Sequence, residues 1–219
     1  MLLPRCTKRI SLAGLLLTLL LVAGCGGSAA VRTASGPQER VAENADESLA
    51  PDIPPAALTL FEQATAEMAG GDFLEAELRF KEFLLQYPDY PGAYVNLAII
   101  HSNNGDEAAT EAAVTAALAL QPDHPAALNQ LGMLLRKNGK FLEAEAAYLK
   151  AVTVSPEYAL AHYNLGVLNE LYLQRLDAAL QNFETYQSLV GEDKQVARWI
   201  KDLTRRVAAN QRTANVADQ

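Results

Sequence analysis

Three histidines, two cysteines and 26 carboxylate side chains are the groups on which catalysis or metal binding could rest. His101, His124 and His162 form no pair with metal-ligand spacing, and no glycine-rich loop follows a strand, because no segment reads as a strand. The aspartates and glutamates fall mostly on what read as exposed helix faces, where carrying solvent is their ordinary role. The sequence therefore names no catalytic residue, no metal and no cofactor, and the expected protein is not an enzyme. The cysteines stand apart from this. Cys6 sits among Arg5, Lys8 and Arg9, and Cys25 follows an apolar run from Ile10 to Val22. The run is shorter than the ~20 residues a membrane helix needs and gives way to small residues, as a cleaved export signal does.

Val22-Ala23-Gly24-Cys25 resembles the lipobox of bacterial lipoproteins. The resemblance implies a signal peptide at 1–24, a diacylglycerol on the Cys25 sulfur and a further acyl chain, such as palmitate, on its amine. A plain signal with an incidental cysteine, or a retained anchor, is the alternative. Cleavage would discard Cys6 and acylation would occupy Cys25, so no thiol would remain for a disulfide, a metal or a nucleophile. Each buried methylene contributes about 0.8 kcal/mol, and stable anchoring takes two chains, which an acylated N-terminal cysteine supplies. Gly26 rather than Asp follows Cys25, and in this family that implies the outer membrane, facing the periplasm; the outer face of the cytoplasmic membrane is the alternative.

The chain carries a net charge of −8, and loss of Arg5, Lys8 and Arg9 with the signal makes it −11. A net acidic protein repels nucleic acid and anionic lipid surfaces, so neither is expected as a partner on charge alone. Residues 25–54 are small, polar and proline-bearing without a sustained period, and read as a disordered tether with a reach of roughly 30 Å. A transient helix over Val41–Leu49 is the alternative there.

From residue 55 the chain repeats. Gly71, Gly105 and Gly139 are 34 residues apart, and so are Pro88, Pro122 and Pro156. The pairs Leu97-Ala98, Leu131-Gly132 and Leu165-Gly166 recur in the first helix of a unit, and Ala76, Ala144 and Ala179 with Phe80, Tyr148 and Phe183 recur in the second. This pattern resembles the tetratricopeptide repeat (TPR). The resemblance implies an all-α solenoid of about four helix pairs, each too small to bury its core without neighbours. The units read as 57–90, 91–124, 125–158 and 159–193, within an array at 55–193. The first is weak, with Gln63 and Ala64 in place of Leu-Gly. The second has Thr110 where alanine is usual. The fourth lacks its glycine, has an extra residue near Leu173-Gln174, and places Gly191 near where proline belongs. Val196, Trp199, Ile200, Leu203 and Val207 form one apolar stripe, which predicts a capping helix at 194–208, with Arg198, Lys201, Arg205 and Arg206 on its wet face. A membrane-surface or partner helix is the sharper alternative. Residues 209–219 read as a disordered tail.

In TPR proteins the first helix of each unit lines a concave groove, and the resemblance places ten residues there: Phe61, Val95, Asn96, Ile99, Asn129, Gln130, Met133, Tyr163, Asn164 and Val167. Asn96, Gln130 and Asn164 recur at 34-residue steps as a row of amides, able to donate to and accept from a peptide backbone. The alternative is that they solvate the inner face. His101 and His162 stand where the family prefers aromatics, which implies packing. Phe61, Asn96, Ala126 and Gln130 occupy the places where some TPR proteins clamp a terminal carboxylate with basic residues; none is Lys or Arg, so that mode is not expected, and Arg136 and Lys137, though basic, lie near the end of their helix. The implied partner is a protein or peptide of the envelope, with the membrane reached through the N-terminal lipid, and no nucleic acid or small-molecule substrate. The implied role is a scaffold or adaptor. The alternative is an assembly factor similar to type IV pilus pilotins, which usually carry more units.

Overall fold

A computed structural model describes residues 54–217, with side chains through 213. Cys25, the signal segment and all of the tether but Pro54 lie outside these residues.

Nine helices and no strand occur among the described residues. α1 (Pro55–Gly70) pairs with α2 (Phe73–Gln86), α3 (Pro91–Asn103) with α4 (Glu107–Leu120), α5 (Pro125–Lys137) with α6 (Phe141–Val154), and α7 (Ala159–Leu171) with α8 (Leu176–Val190). Each pair also touches the next, and α9 (Lys194–Ala217) lies on α8.

Local sequence sets the helix boundaries. Pro55, Pro91 and Pro125 sit in the first turn of α1, α3 and α5, where a missing N–H costs nothing and the fixed φ already suits a helix. Asp72 and Asp106 cap α2 and α4, accepting from the backbone N–H of Glu75 at 3.1 Å and Ala109 at 3.0 Å. Gly71, Gly105 and Gly139 take the left-handed backbone that turns each pair, with φ of 84°, 75° and 74°. The fourth unit, which has no such glycine, makes the same turn with Gln174 at φ 56°. Gln174 offsets part of the strain, because its amide nitrogen donates to the carbonyls of Glu170 at 3.3 Å and Leu171 at 3.4 Å. A left-handed non-glycine residue costs roughly 1–2 kcal/mol, so Gln174→Gly is expected to stabilise the array by about 1 kcal/mol after losing those bonds. A thermal melt checks this, and an unchanged or lower midpoint would contradict it.

Packing follows a size rule within each pair. Ala64, Ala98, Gly132 and Gly166 occupy equivalent places in the first helices, and Phe80, Val114, Tyr148 and Phe183 in the second. A Cβ built on Gly132 would fall 2.4 Å from the Tyr148 ring, and one on Gly166 2.7 Å from the Phe183 ring. The rings thus occupy the space that the missing side chains leave. Thr110 is buried in the place of the usual alanine, and its hydroxyl donates to the Asp106 carbonyl at 2.7 Å, so it carries no unpaired polar group into the core.

α9 closes the last pair. Val196, Leu203 and Val207 are buried, and Trp199 and Ile200 pack against the apolar cluster around Tyr163, Phe183 and Tyr186. Asp193 caps the helix by accepting from the N–H of Gln195 at 2.8 Å and Val196 at 3.0 Å. Arg206 reaches across to the buried Glu170 of α7 at 2.7 Å. The helix does not end at 208: it continues to Ala217, through the stretch expected to be a disordered tail. Loss of apolar period there removes packing but not helix propensity. Ala208, Ala209, Gln211 and Arg212 are good helix formers, no Gly or Pro intervenes, and the docked turns before them supply the nucleus. No helix among the described residues is long and apolar enough to cross a membrane.

Candidate functional site

The first helices of the last three pairs lie side by side, α3 against α5 and α5 against α7, and form one continuous wall. The groove residues expected from the sequence fall on it, but mostly inside it, except Phe61, which is on α1 and packs on the rings of Phe80, Phe83 and Tyr90. Val95, Ile99, Asn129, Tyr163 and Val167 are buried, and Phe61 and Met133 are half-buried. Asn96, Gln130 and Asn164 are 5%, 2% and 6% exposed, so the expected row of amides is not an open one. The cause is the stacking itself. Places that recur every 34 residues on neighbouring first helices face one another as well as the concave side. Asn164 Nδ2 donates to Asn129 Oδ1 at 2.9 Å, a buried bond that joins α7 to α5 one place out of the expected register. Asn129 Nδ2 in turn lies 3.8 Å from the Met133 sulfur.

The histidines serve structure. His124 caps α5, its Nδ1 accepting from the Ala127 N–H at 3.3 Å. His162 Nε2 lies 2.9 Å from the Pro156 carbonyl and its Nδ1 3.3 Å from the Asn182 side-chain oxygen, which fastens α7 to the preceding turn and to α8. His101 is half-buried near the end of α3. No group of three or more His, Cys, Asp or Glu side chains that could hold a metal occurs among the described residues.

A cavity of about 270 Å³ opens near one end of the wall, where Ser102 of α3, Glu107 of α4, Met133, Arg136 and Lys137 of α5, and Tyr172 at the end of α7 are among its lining residues. Lys137 Nζ pairs with Glu107 Oε1 at 2.8 Å. Arg136 makes no ion pair among the described residues, so the cavity holds one uncompensated cation beside the thioether of Met133 and the ring of Tyr172. Such a lining suits a peptide that presents an apolar side chain next to a carbonyl or carboxylate oxygen. The sequence alone gave no sign of Ser102 or Tyr172, which reach the cavity only because helices far apart in the chain converge on it.

Tyr163 is the other unfinished feature. Its hydroxyl is buried and has no hydrogen-bond partner. Burial pushes its pKa up to about 12, with Tyr186 and Asp193 adding to the rise and Arg136 opposing it. The folded protein thus holds this proton more tightly than the unfolded chain, so the contribution is complete below pH 10 and is lost as the pH rises from 10 to about 12. Tyr163→Phe is expected to abolish that alkaline loss and to leave stability at neutral pH unchanged or up to about 1 kcal/mol higher. Urea titrations at pH 7 and pH 11 would show both effects, and an alkaline loss that persists in the variant would assign it to another group.

Comparison with known families now bears on this architecture. Two tetratricopeptide repeat models match residues 61–125 and 113–146, and a TPR repeat model matches residues 132–172. The chain is a tetratricopeptide repeat protein. The models span the first three pairs and run into α7, and the solved TPR structures extend the likeness. The structure described as Functional Characterization of Pseudomonas aeruginosa pilF is 22% identical with a TM-score of 0.62, covering 70% of each chain. MamA from Desulfovibrio magneticus RS-1 is 20% identical with a TM-score of 0.56, covering 74% of this chain and 92% of that one. The first TPR of Spaghetti (RPAP3), solved with the HSP90 peptide SRMEEVD, is 17% identical with a TM-score of 0.50, covering 54% of this chain and 95% of that one. At these identities the likeness concerns the fold. A comparison with curated proteins found no match. TPR arrays are protein-interaction scaffolds, and this chain has that architecture.

Proposed function

We propose that this TPR protein is a lipid-anchored adaptor that holds a protein partner of the cell envelope on the wall formed by α3, α5 and α7, at the end marked by Met133, Arg136 and Tyr172. The cavity at that end supports the reading most directly. A guanidinium with no carboxylate partner among the described residues, set beside apolar groups, is well suited to a peptide. The buried, unpartnered Tyr163 hydroxyl lies within electrostatic reach of Arg136 and offers a second polar contact if the wall opens on binding. The Spaghetti TPR domain, solved with a peptide, supports the general mode. The lipobox-like Val22-Ala23-Gly24-Cys25 supports acylation of Cys25, and Gly26 after it supports the outer membrane, facing the periplasm.

The decisive experiment is an affinity capture from detergent-solubilised envelope, comparing wild type with Arg136→Glu/Tyr172→Ala. Partners should fall at least tenfold in the variant, and undiminished capture would remove the wall from consideration. Asn164→Ala is a poorer probe than the sequence implies, because it strips Asn129 of its buried bond. For the anchor, radioactive palmitate fed to cells should label the wild type and not Cys25→Ser, and a wild type that takes up no label would refute acylation. A second reading, an assembly factor for a secretin or type IV pilus, is supported by the likeness in fold to Pseudomonas pilF. Pilus or secretion genes beside this one would favour it, and peptidoglycan genes would favour the scaffold.

A further inference from the structure

Charge in this protein is segregated along the chain and in space. Residues 54–193 hold 19 acidic and seven basic side chains, a net of −12, whereas α9 holds six basic and one acidic, a net of +5. The apolar side of α9 is spent on α7 and α8. That docking turns the opposite side outward, and Lys194, Arg198, Lys201, Arg205 and Arg212 follow one another along it at helical spacings of four, three, four and seven. All five are exposed. At 1.5 Å per residue the row is about 27 Å long and straight.

Little of the row is used internally: Arg198 Nε donates to the Lys194 carbonyl at 3.0 Å. Arg206, on the flank toward the body, pairs with Glu170 at 2.7 Å. By contrast, Lys194, Arg198, Lys201 and Arg212 make no ion pair among the described residues. Arg205 is 71% exposed and only loosely near Asp202, at 3.6 Å. The acidic groups around the row are few: Asp202 on its flank, Glu192 and Asp193 ahead of its first turn, and Asp177 of α8, which meets Gln211 at 3.5 Å on the body side.

We propose that this exposed basic row of α9 rests on an anionic phospholipid surface. The row is linear and solvent-facing, as contact with a plane of headgroups requires. With the apolar side already buried, the helix lies on the surface by charge and does not insert into it. The acidic body is repelled by the same surface, so the array would stand with α9 toward the lipid and its other helices away. The lipid-anchor reading enters for proximity alone: an acylated Cys25 and a tether with a reach of roughly 30 Å would keep α9 close to a bilayer. Net charge by itself argued against anionic lipid; the orientation of α9 reverses that for one face.

Vesicle flotation tests it with the mature chain, residues 25–219 carrying Cys25→Ser, so that neither acylation nor the apolar run Ile10–Val22 plays a part. Vesicles are either phosphatidylcholine alone or phosphatidylcholine with phosphatidylglycerol. Binding should be much stronger to the anionic vesicles and should fall on raising the salt. Each Lys or Arg near an anionic surface strengthens binding roughly fivefold, so Arg198→Gln/Lys201→Gln should weaken it about thirty-fold. Both positions are exposed, and an unchanged circular dichroism melt would confirm that the variant folds. Equal flotation with both vesicle types, absence of flotation with the anionic ones, or anionic binding that survives the double substitution would each overturn the proposal. So would salt-sensitive self-association, seen by light scattering and lost in the variant, without anionic flotation; the row would then pair with the acidic body of a second copy. Because acylation is scored separately, by palmitate labelling in cells, failure of the anchor and failure of the row are distinguishable.

Discussion

Gly132→Ala is expected to destabilise the array by about 2–3 kcal/mol, lowering the melting midpoint by roughly 5–10 °C for an array of this size. The sign is opposite to the ordinary one, since alanine in a helix interior is worth about 1 kcal/mol over glycine. It reverses here because the new Cβ would stand 2.4 Å from the ring of Tyr148, which is fully buried and has no room to retreat. The second pair shows the remedy. It holds Ala98 and Val114 at the equivalent places, an alanine opposite a smaller partner. The double variant Gly132→Ala/Tyr148→Val should therefore be less destabilised than the sum of the single changes, a coupling that a double-mutant cycle reads directly. Additive losses would mean that the two sites do not share one space. Chemical denaturation of the four proteins suffices.

Trp199→Ala is expected to cost about 3 kcal/mol. Trp199 packs against Phe183 at 5.4 Å and Tyr163 at 6.0 Å between ring centroids, with the rings tilted, and it is the largest side chain that α9 places on the body. Its loss would weaken the bond between Arg206 and the buried Glu170, since both contacts depend on the same helix staying docked. Amide hydrogen exchange should show loss of protection in α9 and the outer side of α8, with α3 to α6 little affected, as repeat arrays transmit stability through nearest neighbours. Protection of α9 equal to wild type would refute its role as the cap. Undocking would also release the basic row from its fixed orientation.

Much of this fold is legible in the sequence because its determinants are local. The glycines at 71, 105 and 139 mark turns that need positive φ, and the structure adds Asp72 and Asp106 as caps just after two of them. The irregular fourth unit was visible as a missing glycine near Leu173-Gln174, though not that Gln174 would take the left-handed turn itself. The helical end of α9 was missed because an apolar stripe was required where propensity sufficed. The site was less legible. A repeat register says which residues share a face, and it placed Asn96, Gln130 and Asn164 on one. It does not say how closely adjacent helices pack on that face, and the close packing buries those amides and bonds Asn164 to Asn129.

The sequence by itself determined the repeat: its period, its turns, and the alternation of small and large residues that lets each pair close. Those follow from backbone preference and side-chain size within one unit. Only the tertiary structure decided where the wall is open, which cation is left unpaired, and which side of α9 faces out. Each of those depends on distances between residues tens of positions apart: Ser102 with Tyr172 around the cavity, Glu107 with Lys137 across it, Glu170 with Arg206 at the cap. Arg136 and Arg206 look alike in sequence, one basic residue near a helix end and one on a wet face. Packing gives Arg206 a buried carboxylate and leaves Arg136 facing an open cavity, because pairing is set by what other helices bring within reach.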